Sequence, residues 1–182
     1  MDTDKIIANT RNWILDVVVA YNLCPFAKRE LEAERVRYCV LQTAELESCL
    51  AALIAECQLL DSEPAVETTL LILANGFSSF DDYLELLEMA ESLLEDYEYS
   101  GVYQLASFHP DYCFDDIEQN DAANFTNRSP YPMLHLIREA SIDIALENLT
   151  HPEEIPERNI KLARQMGTEA WQKILRESLN RN

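Results

Sequence analysis

Asn127-Arg128-Ser129-Pro130-Tyr131-Pro132-Met133-Leu134-His135-Leu136-Ile137-Arg138 is where capping residues, chain breakers and ionisable side chains crowd most closely in this sequence. Serine accepts a backbone N–H at a helix start, and proline suits the first helical position because its missing donor has no partner there. These signals predict a helix from Pro130 to about Leu149, with Leu134, Ile137, Ile144 and Ala145 turned inward. On such a helix His135 and Arg138, three residues apart, share a face. Arg128, just ahead of its N-terminus, would add positive charge where backbone dipoles already favour an anion.

Upstream, apolar residues at Ile6, Ile7, Trp13, Ile14, Val17 and Val18 mark an amphipathic helix over Asp4 to Tyr21. Asn22 ends it and Pro25 forbids its continuation, so Cys24-Pro25-Phe26 sits in a turn. Val36 to Leu41 reads as a strand and Ala44 to Leu60 as a helix. Thr68 to Ala74 is an unbroken apolar run of strand length, the pattern of a strand covered on both faces, and Asn75-Gly76 stops it. Ser79 caps a helix from Phe80 to Tyr97, and a third strand, Val102 to Phe108, runs into His109-Pro110. Asp111 to Thr126 has no periodicity and reads as a long loop. After the helix from Pro130, Pro152 and Pro156 start another that Gly167 ends, and Thr168 caps a last one.

Strands alternating with long helices predict an α/β fold: a small, largely parallel sheet with crossover helices and an extra helical C-terminal segment, in one domain over 1–182. The alternative is a ferredoxin-like α+β sandwich, which needs a further strand between Tyr112 and Thr126.

The 33 acidic residues against 14 basic ones, a formal charge of −19, argue against nucleic acid and anionic membrane as partners. Five cysteines without CxxC spacing suggest neither disulfides nor a zinc knuckle, and no leader or membrane span is read at the N-terminus. A reducing cytoplasm fits this usage. The oligomeric state is left open, since Trp171 suits either a core or a dimer contact. GxGxxG, P-loop, HExxH, GxSxG and EF-hand patterns are absent, so no cofactor is assigned.

Ligands of parallel sheets bind beyond the carboxyl ends of the strands, which selects His109 and makes Asn75 and Gly76 its borders. Cys24 follows a helix C-terminus, whose dipole opposes thiolate formation, so it acts as a nucleophile only beside His109, His135 or Arg128. Pro130 and Pro132 remove amide donors, leaving side chains to supply the contacts of an anion pocket. His109, Cys113 and His135 with Cys24 or Asp111 offer metal-ligand types, but without diagnostic spacing, and no metal ligand is assigned.

Asn22-Leu23-Cys24-Pro25-Phe26-Ala27, Ser107-Phe108-His109-Pro110-Asp111-Tyr112 and the Asn127 to Pro132 motif, with His135 and Arg138 after it, resemble a bacterial family catalogued as domain of unknown function 1415. The likeness runs through Ile155-Pro156-Glu157-Arg158-Asn159. It implies positions rather than a reaction: Cys24, His109, Asn127, Arg128, His135 and Arg138. Family sequences usually carry glutamine where this chain has Cys113, which counts against that thiol as a required metal ligand.

The expectation is an enzyme, a hydrolase or group transferase, acting on a small anionic metabolite. His109 or His135 serves as acid or base, Cys24 as nucleophile or wall, and Arg128, Arg138, Asn127 and Ser129 hold the substrate. One alternative is a non-catalytic binding or scaffold protein in which these residues form a structural network. A second is a metalloprotein.

Overall fold

Helix α1, Thr3–Trp13, opens the chain with the Asp2 carboxylate accepting from the Asp4 N–H, and it continues as a wider π-helical stretch, Ile14–Val19. The computed structural model describes residues 2–147 and 151–181. Asn22, at φ 53°, turns the chain in the left-handed region as read from the sequence. A short helix follows, α2, Ala27–Glu32. Strand β1, Val36–Leu41, leads through α3, Leu46–Ser62, to β2, Thr68–Leu73, and then through α4, Phe80–Asp96, to β3, Tyr103–Phe108. Ser79 caps α4 by accepting the Asp82 N–H. Gly76 is needed after β2: its φ is +76°, and a Cβ there would lie 2.6 Å from that of Ala44.

The expected helix from Pro130 does not form. Met133–Arg138 is a strand, β4, and only Glu139–Leu146 is helical, as α5; the expected end at Leu149 lies outside the described residues. Ser129 does not cap a helix, because its hydroxyl donates to the Tyr131 carbonyl at 2.6 Å. Strand β4 is inserted between β2 and β3, antiparallel to both, giving the order β1-β2-β4-β3. β1 and β2 are parallel, and β3 runs the same way as both, on the far side of β4. The α/β class stands with its crossover helices, but the hydrogen-bonded pairs are mostly antiparallel. The further strand that the ferredoxin-like alternative required exists, at 133–138 rather than between Tyr112 and Thr126.

Central placement explains the misreading. Met133, Leu134 and Leu136 are fully buried, so β4 is apolar on both faces and carries no strand alternation. Each such side chain contributes about 1.5–3 kcal/mol by leaving water, which outweighs a few tenths to about 1 kcal/mol of helix preference.

Helices α3 and α4 cover one face through Leu53, Cys57, Tyr83 and Leu86 against Leu71, Leu73, Leu134 and Leu136. The other face carries Leu70, Ile72 and Met133 against Ile6, Trp13, Val17, Phe125 and Trp171, contributed by α1, the π-helical stretch, a 3-10 turn at Ala122–Thr126 and the C-terminal helices α6, Ile155–Met166, and α7, Thr168–Leu179. Trp171 is core, fully buried, with its indole N–H donating to the Ala163 carbonyl at 3.1 Å. Among the described residues no helix is long and apolar enough to cross a membrane.

Candidate functional site

The strand register separates the residues expected to work together. Because β4 is a strand, alternate side chains point to opposite faces, so His135 faces the α1 layer while Arg138 lies with Leu134 and Leu136 on the α3 side. There the Arg138 guanidinium donates to the carbonyls of Leu60, at 2.5 Å, and Val66, at 3.1 Å, and lies over the Tyr103 ring. Arg138 thus ties the end of α3 to the start of β2.

His109, Asn127, Arg128 and Ser129 form a second, separate group. The His109 ring is fully buried beside Phe80 and Tyr83. Its Nε2–H donates to the Phe77 carbonyl at 2.9 Å, and its Nδ1 accepts the Asp111 N–H at 3.0 Å, which fixes one neutral tautomer. Burial lowers its pKa in the same sense. Asn127 donates to the Ser107 carbonyl, and the Arg128 guanidinium donates to the carbonyls of Tyr112 and Gln119 while lying 4.6 Å over the Phe125 ring. Asn124, fully buried, accepts from the Phe114 N–H and donates to the Glu118 carbonyl. His109, Arg128 and Asn124 satisfy main-chain groups of the segment from Asp111 to Thr126, which holds a long run without periodicity in place. Asn75 likewise donates to the Gln42 carbonyl rather than bordering a site.

Cys24 and His135 do meet, as parts of the wall of a cavity of about 380 Å³. Its floor is the sheet face towards α1. The register sets Val36, Thr68, Ile137 and Gln104 in one row, and Leu70, His135 and Ala106 in the next. These rows lie at the amino ends of β1 to β3, opposite to the carboxyl-end position that selected His109. A third row, with Ile72, Met133 and Phe108, is filled by core. Trp13 closes that side with its ring edge-on to Phe108, centroids 5.3 Å apart, and its indole N–H donates to the Arg128 carbonyl. The Asn127 to Pro132 motif thus braces one wall without entering the cavity.

The remaining walls come from Ile14 and Val18 of the π-helical stretch, from Cys24, Phe26 and Leu31, and from Ser141, Ile142 and Ala145 of α5. π-helical geometry is uncommon and is found disproportionately at functional sites. Helix α5 has no fully buried residue although five of its eight side chains are apolar, because its inner face rests on the cavity instead of a packed core. The polar rim holds Arg29, Glu30 and Glu67. Glu30 accepts from Arg29 at 2.7 Å and from Arg35 at 2.5 Å, and Arg35 also reaches Glu67 at 3.3 Å, so these charges neutralise one another.

Within this apolar wall His135 and Thr68 form a polar pair on the sheet floor. Its Nε2 lies 2.6 Å from the Thr68 hydroxyl oxygen, which in turn lies 2.5 Å from the Leu136 carbonyl. Two oxygens that close need a proton between them, so the hydroxyl donates to Leu136 and the imidazole Nε2–H donates to Thr68. Nδ1 has no protein partner among the described residues and is not one of the buried unpaired atoms, so it is reached from the cavity. Desolvation lowers the ring's pKa to about 4. Burial raises the Cys24 thiol, outweighing the Phe26 and Ala27 N–H groups that favour its thiolate.

The metal-ligand types do not group as a centre. His109 and His135 lie on opposite faces of the sheet, and the Cys113 sulfur packs 3.2 Å from the Ile117 carbonyl. Among the described residues, His151, Glu153 and Glu154 bring three donor atoms within 4.8 Å of one another, all on exposed side chains.

Sequence reasoning missed Thr68, Trp13, Ala106, Phe108 and Ile137. Thr68, the hydroxyl that begins an otherwise apolar run, carried a readable signal; the others look like any core residue.

No curated protein and no solved structure matches the chain. From residue 5 to residue 173 it matches, and so belongs to, the family described as protein of unknown function (DUF1415).

Proposed function

We propose that this chain is a small-molecule-binding domain whose ligand fills the cavity between the sheet, the π-helical stretch, α2 and α5, with His135 as its polar anchor. The observation that carries this reading is the pairing of a cavity of about 380 Å³, within the range of small-molecule sites, with a half-buried imidazole fixed by Thr68 on one nitrogen and with no partner among the described residues on the other. The half-buried helix α5 and the π-helical wall support it.

Hydrolysis or group transfer is the second reading, and it rests on Cys24 and His135 lining one cavity. A thiol raised by burial and an imidazole lowered to about 4 are both uncharged near neutral pH. Those protonation states suit recognition better than a nucleophile and base, which work best with pKa values near the operating pH. An anionic ligand would also enter a cavity whose rim arginine, Arg29, is already paired with Glu30. The test is a titration of the protein with toluene or indene followed by methyl NMR. Saturable shifts at Ile137, Ile142 and Val18 are expected; shifts spread over the surface, without saturation, would remove the reading.

A further inference from the structure

We infer that the cavity selects uncharged ligands that present an N–H or O–H donor to His135, as indoles, phenols and alcohols do, over hydrocarbons of the same shape and over carboxylates. This rests on the binding reading above and names the ligand class for that site.

The selectivity follows from where two protons must be. The Thr68 hydroxyl has one proton, and the 2.5 Å contact with the Leu136 carbonyl commits it there. The same oxygen, 2.6 Å from Nε2, is then an acceptor, so the ring's one proton sits on Nε2. Nδ1 is left as a lone pair at the cavity wall. Leu136 is held in the β2 to β4 ladder opposite Thr69, so its carbonyl cannot turn away to release the hydroxyl. A donor placed against Nδ1 makes a hydrogen bond in largely apolar surroundings, while a hydrocarbon leaves the lone pair unpaired. A carboxylate would oppose two lone pairs at short range unless it brought a proton with it. Ala106, beside His135 across the β3 to β4 pair, leaves room next to the ring.

The closing experiment uses the full chain and matched probes: indole, its hydrocarbon isostere indene, and benzoate. Calorimetry reads affinity, and the imidazole nitrogens are read by long-range proton–nitrogen NMR. Indole is expected to bind about tenfold tighter than indene, the factor that one buried hydrogen bond supplies, and benzoate weakest. Thr68→Val, which frees the ring to carry its proton on either nitrogen, is expected to shrink the indole preference to within about twofold. Should that variant not fold, the wild-type spectrum decides: the His135 ring must appear as a neutral Nε2–H tautomer, and a Nδ1–H form overturns the inference. Equal affinity for indole and indene, or a preference for benzoate, overturns the inference while the cavity remains a binding site. Failure of all three probes to bind removes the cavity reading and the inference together.

Discussion

Acidification from about pH 7.5 to about pH 4.5 should destabilise this protein through His135 in particular, by an amount that can be worked out beforehand. The ring is lowered from 6.5 to about 4 in the folded chain. Between those values the unfolded chain binds a proton that the native state refuses, so stability rises with pH across that window. The contribution is complete above about pH 6.5 and is lost progressively as pH falls towards 4. A shift of this size corresponds to about 3 kcal/mol in full, of which about 2 kcal/mol is gone by about pH 5. Many carboxylates titrate near the lower end, and His109 shifts in the same direction, so the effect has to be isolated by difference. Urea unfolding of wild type and His135→Gln, measured at the same pH values, isolates it. The variant loses the Thr68 bond at every pH, which offsets the two curves, but only wild type carries the His135 slope. The wild-type advantage should therefore shrink by about 2 kcal/mol between about pH 7 and about pH 5. Parallel curves across that range would refute the account of His135 as a neutral ring without a charged partner.

Arg138→Met should cost about 1–3 kcal/mol, because the carbonyls of Leu60 and Val66 lose a charged donor, and it should leave ligand affinity unchanged; a normal midpoint with weakened binding would contradict the structural role. Asn124→Ala removes an acceptor from the Phe114 N–H and a donor to the Glu118 carbonyl, so hydrogen exchange should accelerate from Tyr112 to Asn127 and stability should fall by about 1–3 kcal/mol. Retained protection in that segment would show that its order has another source. Carboxymethylation of Cys24 near about pH 7, read by site-resolved mass spectrometry, should be slower than for the same thiol in the unfolded chain, because burial raises its pKa. Faster labelling would favour the nucleophile reading.

Much of the fold was legible because local signals agreed with tertiary context. The Val36–Leu41 strand, the buried run from Thr68, the Ser79 cap and the Asn22 turn all appear where propensity and pattern put them. The stretch from Ser129 misled because proline and serine imitate a helix start, while a strand buried on both faces shows no period of its own. That one substitution of strand for helix also changes the site. Two residues spaced for one helical face become opposite-facing on a strand, so His135 and Arg138 part company. Of the expected site residues, Cys24 and His135 share the cavity, while His109 and Arg128 hold the segment after His109 and the Arg128 carbonyl braces Trp13. The cavity itself was not legible, since it is made by side chains that are only brought together by sheet order and by α5.

If this cavity takes up a small molecule, filling it with a side chain must abolish that uptake. Ala106 lies on its floor beside His135, so Ala106→Phe should occupy the space. Indole titrated into wild type and into this variant, with circular dichroism confirming that both fold, should bind the first and lose at least about tenfold in affinity for the second. Equal binding by the two folded proteins would contradict the account.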